Sequence, residues 1–172
     1  MNLLNRIKTK YKIISAYRKF KKSKTGNFKI GTEQLNNFII KYPERLKIGN
    51  GTVLTGDFFC NAYGCVTIGD YCHIAKGLTI YSHNHNWRSE KSIPYDDINI
   101  KKSVYIGNCV WIGCNVTITP GTIIHDGAII SAGSVVFGEI QEGSIVRGNP
   151  AIKIGSRNME IYKQLKSQEH FF

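Results

Sequence analysis

No apolar run in the sequence approaches the roughly 20 residues that a membrane-spanning helix needs. Nor is the basic beginning followed by the uninterrupted apolar stretch of a secretion signal, so a cytoplasmic protein is the expectation. The five cysteines (Cys60, Cys65, Cys72, Cys109 and Cys114) lack CxxC spacing and are odd in number. That pattern suggests neither a zinc ribbon nor a closed disulfide framework, and the cysteines read as reduced, mostly buried small hydrophobes. Acidic residues are missing altogether from residues 1–32, which hold ten Lys and Arg, whereas the other 140 residues carry 13 basic against 12 acidic side chains, a net of +1. The formal net charge of +11 would by itself invite nucleic acid. With the body near neutral, no basic stripe remains to follow a phosphate backbone, and nucleic acid is not an expected partner.

What is present is a repeat. Aliphatic residues recur every six positions at Ile106, Ile112, Ile118, Ile124, Ile130 and Val136. A small or polar residue usually follows each anchor (Gly107, Gly113, Thr119, His125, Ser131), and a modest one stands four positions on (Val110, Val116, Thr122, Ala128, Ser134). An earlier block keeps the period at Ile48 and Leu54 and, after a two-residue slip, at Ile68, Ile74 and Ile80. A period of six matches neither the 3.6 of a helix nor the alternation of a solvent-facing strand. It matches a solenoid in which three hexads make one triangular coil, each anchor points inward, and the small residues sit at the bends. The spacing therefore predicts an all-β solenoid of about five coils from roughly residue 46 to 150, in a chain whose 172 residues suffice for one core.

Two segments depart from the period. Residues 81–103 are polar, carry Pro94 and separate Ile80 from Ile106, which predicts a long loop inserted into the domain 46–155; ordered loops of that length are disproportionately functional. Residues 1–32 form a basic arm, in which Leu3, Leu4, Ile7, Tyr11, Ile14 and Tyr17 fall at helical spacing. Residues 156–172 read as a short C-terminal helix or tail.

The stretch IGNCVWIGCNVTITPGTIIHDGAIISAGSVV followed by VRGNPAIKI resembles the acyl-CoA-binding half of hexapeptide-repeat acetyltransferases, in particular the maltose, galactoside and polysaccharide O-acetyltransferase branch. The resemblance covers about 100 residues, from Ile48 or Ile68 to Ile154. It implies a left-handed parallel β-helix, a homotrimer with the CoA groove between neighbouring solenoids, acetyl-CoA as donor, and a sugar or glycan hydroxyl as acceptor. An alcohol attacking a thioester must lose its proton, and a histidine that is largely neutral near pH 7 suits that task. His83 and His85 of SHNHN occupy the place of the family's loop base; His83 follows an apolar strand, His85 sits in an Asn-His pair, and both stay candidates.

By the same resemblance Trp111 lines the acetyl and pantetheine end of the groove, and backbone NH groups near Gly113 and Cys114 face the oxyanion. Pantetheine lies against Ser131, Ala132, Gly133 and Ser134, and Arg147, Lys153 and Arg157 meet the CoA phosphates. The family's basic residue directly after Pro-Ala is Ile152 here, with Lys153 one position later. Asp57, Asn61, Tyr63, Trp87 and Tyr95 are the acceptor-side candidates, whereas His73 and His125 read as structural or solvent-facing. The readings weighed against this one are a non-catalytic binding or scaffold solenoid, an acetyltransferase with a serine or xenobiotic acceptor, and a metal-dependent enzyme of the γ-carbonic-anhydrase kind, for which no third histidine at coil spacing is evident and no metal is expected. The arm of residues 1–24 either caps the open end of the solenoid or lies on an anionic inner membrane face.

Overall fold

The computed structural model describes residues 3–31 and 37–172. The side chains of Leu3 and Leu4, which enter the helical pattern of the arm, and that of Arg6 lie outside the described residues.

Short strands climb three faces of a parallel β-solenoid. The first face stacks Lys24–Thr25, Leu46–Ile48, Val66–Ile68, Val104–Ile106, Ile123–Ile124 and Glu139–Ile140. The second stacks Lys29–Ile30, Val53–Leu54, His73–Ile74, Trp111–Ile112, Ile129–Ile130 and Ser144–Arg147, and is completed by Ile152–Ser156 running antiparallel. The third stacks Phe38–Lys41, Phe58–Asn61, Leu78–Tyr81, Thr117–Ile118 and Val135–Val136. Matching anchors stand directly above one another, as in Ile68↔Ile106↔Ile124 and Ile74↔Ile112↔Ile130, and these side chains are almost wholly buried. The hexad period thus becomes aliphatic ladders, each anchor removed from water by the coils above and below.

The coils begin earlier than the spacing indicated. Lys24–Thr25 and Lys29–Ile30 already pair with the next coil, so residues 24–30 belong to the solenoid and not to the arm. Aromatic residues replace the expected aliphatics in this first coil: Phe20 packs against Phe28, Phe38 and Phe58 at ring distances of 5.0, 5.8 and 6.2 Å. Helix α1 (Leu3–Lys19) is held on that end by Phe20, Ala16 and Tyr17, whose hydroxyl accepts from Ile30 N and donates to Phe28 O. The helix caps the open end.

The corner between the first and second faces is riveted by side-chain acceptors. Asn50, Asp70, Asn108 and Asp126 accept in turn from the backbone NH groups of Asn27, Asn50, Asp70 and Asn108, at 2.7 to 2.9 Å. Asp126 also takes the Lys166 ammonium at 2.8 Å, which docks α2 (Met159–Ser167), capped by Asn158, over the second face. Of the cysteines, Cys60 and Cys72 are buried, Cys65 is exposed, and Cys109 and Cys114 are half-buried, so only two behave as the core hydrophobes expected. Burial pushes the Cys60 and Cys72 thiols up to about 12.

Candidate functional site

The inserted loop leaves the third face at its exit corner. Ser82, completely buried, pins its base by donating to Asn61 O and accepting from Gly64 N, both at 2.8 Å, while Lys102 N donates to Ser82 O. His83–His85 then pairs antiparallel with Asn99–Lys101, so both histidines stand on a two-stranded extension and not on a free coil. Deeper in the loop, Asp96 accepts from Asn86 Nδ2 and Ile98 N, which ties its two limbs together.

His83 and His85 line a cleft of about 310 Å³ with Tyr81, Asn84, Thr119 and Pro120. The two histidines are held differently. His83 is half-buried and meets the Tyr63 ring edge-on at 5.4 Å, and its Nδ1 is buried without a hydrogen-bond partner among the described residues. Burial, then the neighbouring His85 and Lys41 charges, hold its pKa below the usual 6.5. His85 is exposed and stacks on Tyr95 at 4.0 Å. Cations crowd the same corner: Lys101 Nζ lies 4.4 Å from the Tyr63 ring centre, and Arg45 lies 5.2 Å from it and donates to Tyr63 O.

The acceptor-side candidates therefore divide. Tyr63 and Tyr95 touch the histidines, and Asn61, at the end of the third face, accepts from Tyr63 N at 3.3 Å and supplies the carbonyl that holds Ser82. Trp87 is exposed under the Arg88 guanidinium and joins the histidine hairpin through its backbone, its NH donating to His85 O at 3.0 Å. Asp57 stands apart from the histidines within one chain, at the corner between the second and third faces, its carbonyl accepting from Gly77 N and its Oδ1 buried without a partner among the described residues. From His83 it is separated by a four-residue strand, roughly 13 Å at the usual rise.

The donor-side candidates gather at that second corner. Gly113 is stacked so closely under the next coil that a Cβ would come within 2.6 Å of Ala132 N, and Cys114 O accepts from Gly133 N. Ala132 and Gly133 are exposed, and apart from its chain neighbours no described residue lies within 4 Å of the Cβ position of Gly133, which leaves a strip of accessible backbone. Arg147 and Lys153 are exposed on the adjoining strands. Ser134 differs from the expectation: it is buried, donating to Ser131 O at 2.7 Å and accepting from Gly148 N, so its hydroxyl serves the last coil.

Two further residues are elsewhere. Trp111, on the second face beside His73 and Ile129, lines a cavity of about 570 Å³ beneath α2 with Tyr71, Tyr162 and Phe171. Arg157 lines the same cavity, and its Nε donates to Gly127 O at 2.6 Å; this guanidinium anchors the C-terminal segment instead of joining Arg147 and Lys153. His73 and His125 keep structural partners, the Phe172 ring and Glu139. Sequence reasoning missed Ser82, Lys41, Arg45, Lys101, Thr119 and Pro120. Only Ser82, next to the histidines in SHNHN, carried a local signal.

The pattern described as "Bacterial transferase hexapeptide (six repeats)" matches residues 103–138. The putative lipopolysaccharide biosynthesis O-acetyl transferase WbbJ of Escherichia coli (strain K12) is 42% identical over 102 residues, covering 55% of this chain and 52% of that protein. The dTDP-4-amino-4,6-dideoxy-D-glucose acyltransferase of Escherichia coli is 37% identical over 103 residues, covering 57% and 54%. The chain thus spans about half the length of these relatives. Among solved structures, a maltose O-acetyltransferase from Clostridium difficile 630 superposes with a TM-score of 0.69 at 24% identity, covering 90% of this chain and 89% of that one. Galactoside acetyltransferase in complex with coenzyme A superposes with 0.64 at 21% identity, covering 94% of each. At that identity the likeness is one of fold, the left-handed parallel β-helix.

Proposed function

Because the chain belongs to the hexapeptide-repeat transferase family, we propose that it is an acetyl-CoA-dependent O-acetyltransferase acting on a sugar hydroxyl of a glycan, its precursor or a small saccharide. The observation that carries the reading is the loop histidine His83, half-buried in a cleft with an orphaned Nδ1. A histidine kept only for packing would be expected to satisfy both ring nitrogens. The relatives in Escherichia coli, one named for lipopolysaccharide biosynthesis and one for an amino sugar nucleotide, support a saccharide acceptor.

In this reading His83 takes the proton of the acceptor hydroxyl as its oxygen attacks the acetyl carbonyl. The carbon–sulfur bond breaks, and CoA leaves as the thiol with that proton. A depressed pKa keeps the ring neutral, and hence basic, down to lower pH than an ordinary histidine. His85, with its ring against Tyr95, is the positioning neighbour. The strip at Gly113, Cys114, Ala132 and Gly133, with Arg147 and Lys153 above it, receives the donor.

In one chain the two half-sites stand at opposite edges of the third face, too far apart for an acetyl group to pass directly. A homotrimer, in which the histidine corner of one protomer meets the donor corner of the next, supplies the closure. The reading is tested by thiol release from acetyl-CoA in a panel of sugars and nucleotide sugars, with His83→Ala alongside and the mass in solution measured by light scattering. Acceptor-dependent release from a trimer, lost in His83→Ala, is expected; a monomer that turns over at full rate would refute the shared site.

A further inference from the structure

Helix α1 has two apolar faces and spends only one on the solenoid. At about 100° per residue, Thr9, Ile13, Ala16 and Phe20 fall together, and this is the face on which Ala16 and Phe20 are buried and Ile13 packs against the core. Ile7, Tyr11 and Ile14 form a second stripe roughly 180° around the helix. They are 51%, 74% and 43% exposed. Exposed Lys8, Lys12 and Lys19 flank that stripe on one side and Lys10 on the other, and residues 1–32 contain no acid.

We propose that this outer stripe seats the protein on an anionic lipid bilayer, with α1 lying in the plane of the surface. An apolar centre with cationic flanks matches an interface whose headgroups are negative and whose interior is hydrocarbon. The alternatives fit less well. A nucleic acid would engage the lysines but leave Ile7, Tyr11 and Ile14 in water, and a second copy of the helix would oppose like charges across the stripe. No helix of the described residues is long and apolar enough to cross a membrane, and the contact proposed runs along the surface. Because the inner face is already fixed on the first coil, capping and surface binding use different sides of one helix and do not compete. The inference does not depend on the acetyltransferase reading.

The experiment is co-sedimentation of the full-length protein with vesicles of phosphatidylcholine alone and of phosphatidylcholine with phosphatidylglycerol. Binding to the anionic vesicles is expected to exceed binding to the neutral ones at least ~10-fold at about 0.1 M salt, and to weaken as salt rises. Ile7→Glu with Tyr11→Glu should reduce it at least ~10-fold with the thermal melt unchanged, and Lys8→Gln with Lys10→Gln and Lys19→Gln should also reduce it, which covers the case in which the first variant loses its helix. Equal binding to both vesicle types would overturn the proposal. So would retention of binding by a folded Ile7→Glu, Tyr11→Glu protein, or a concentration-dependent self-association that these substitutions abolish.

Discussion

The ring of His85 lies flat on that of Tyr95, with centroids 4.0 Å apart and planes 10° from parallel. His83, two residues earlier on the same strand, instead presents its ring at 82° to Tyr63. Adjacent outward positions on a short hairpin have thus been given separate aromatic supports. Stacking holds the exposed ring in place without removing it from water, whereas the other is half withdrawn from solvent.

The base role of His83 predicts that His83→Ala lowers kcat by about 10² to 10⁴ and that His85→Ala costs less than about tenfold. The pH profile separates the two further. Protonation silences the base, and burial with the His85 and Lys41 charges lowers its pKa, so the acid limb of kcat/KM should fall below pH 6.5. His85→Gln or Lys41→Met removes a positive neighbour and should move that limb upward; an unmoved limb in both would show that another group titrates.

Cys114 reports on the donor strip. Acetyl-CoA at saturation should slow its alkylation by N-ethylmaleimide by about tenfold or more, because a ligand bound to the folded protein excludes the reagent, while exposed Cys65 reacts at an unchanged rate. Cys60 and Cys72, with thiols pushed up to about 12, should stay unlabelled until the protein unfolds. Equal labelling of Cys114 with and without donor, in an enzyme shown to turn over, would move the donor away from this corner. Peptide mass spectrometry reads all of these thiols in one digest.

Ser134→Ala should destabilise the protein by about 1 to 3 kcal/mol in urea, since it strands the Gly148 NH. The acetyl-CoA KM should change little. A large KM effect with unaltered stability would give the hydroxyl a part in donor binding instead.

Attachment of α2 should depend on pH. Burial alone would raise the Asp126 pKa, but the Lys166 ammonium and the Asn108 NH outweigh it and leave the carboxyl below its usual 3.8; Lys166 is raised in turn by Asp126. A carboxyl with a depressed pKa contributes stability above its unfolded value and loses it as pH falls through the folded one. The ammonium loses its part as pH rises through its own raised value. Amide protection in α2, taken relative to the intrinsic base-catalysed exchange rate at each pH, should therefore be greatest between about pH 4 and 10 and fall outside that window. Asp126→Asn, which can still accept from Asn108 N, should flatten the acid side at a cost of about 1 kcal/mol or less, as befits a half-exposed pair.

The ladders were legible in the sequence because a buried aliphatic every six residues has one geometric meaning once helix and strand periods fail. The first coil was not, because Phe28 and Phe38 take the anchoring role there and the arm's basic character runs on through Lys24 and Lys29. Candidate residues were harder. His83 and Tyr63 were recognisable from the loop and the coil before it, yet Asp57, in that same coil, faces another corner. The period fixes which residues point inward; which corner an outward residue occupies depends on the count of residues in each bend, and the slip between Cys60 and Val66 changes that count. Arg157 follows the last coil, where no repeat constrains its direction, and only the carbonyl of Gly127 reveals its task.

The final strand, Ile152–Ser156, reverses direction against Ser144–Arg147. A stack of parallel coils could otherwise accept one more coil from another molecule, since its terminal strand would offer the same unsatisfied NH and CO pattern that every earlier strand offered to its successor. On the second face the antiparallel last strand breaks that succession, while the first face still ends on the parallel strand Glu139–Ile140. At the opposite end Phe20, packed on Phe28, Phe38 and Phe58, plugs the first coil. The two ends of the solenoid are thereby unlike, which works against stacking coil upon coil with another copy.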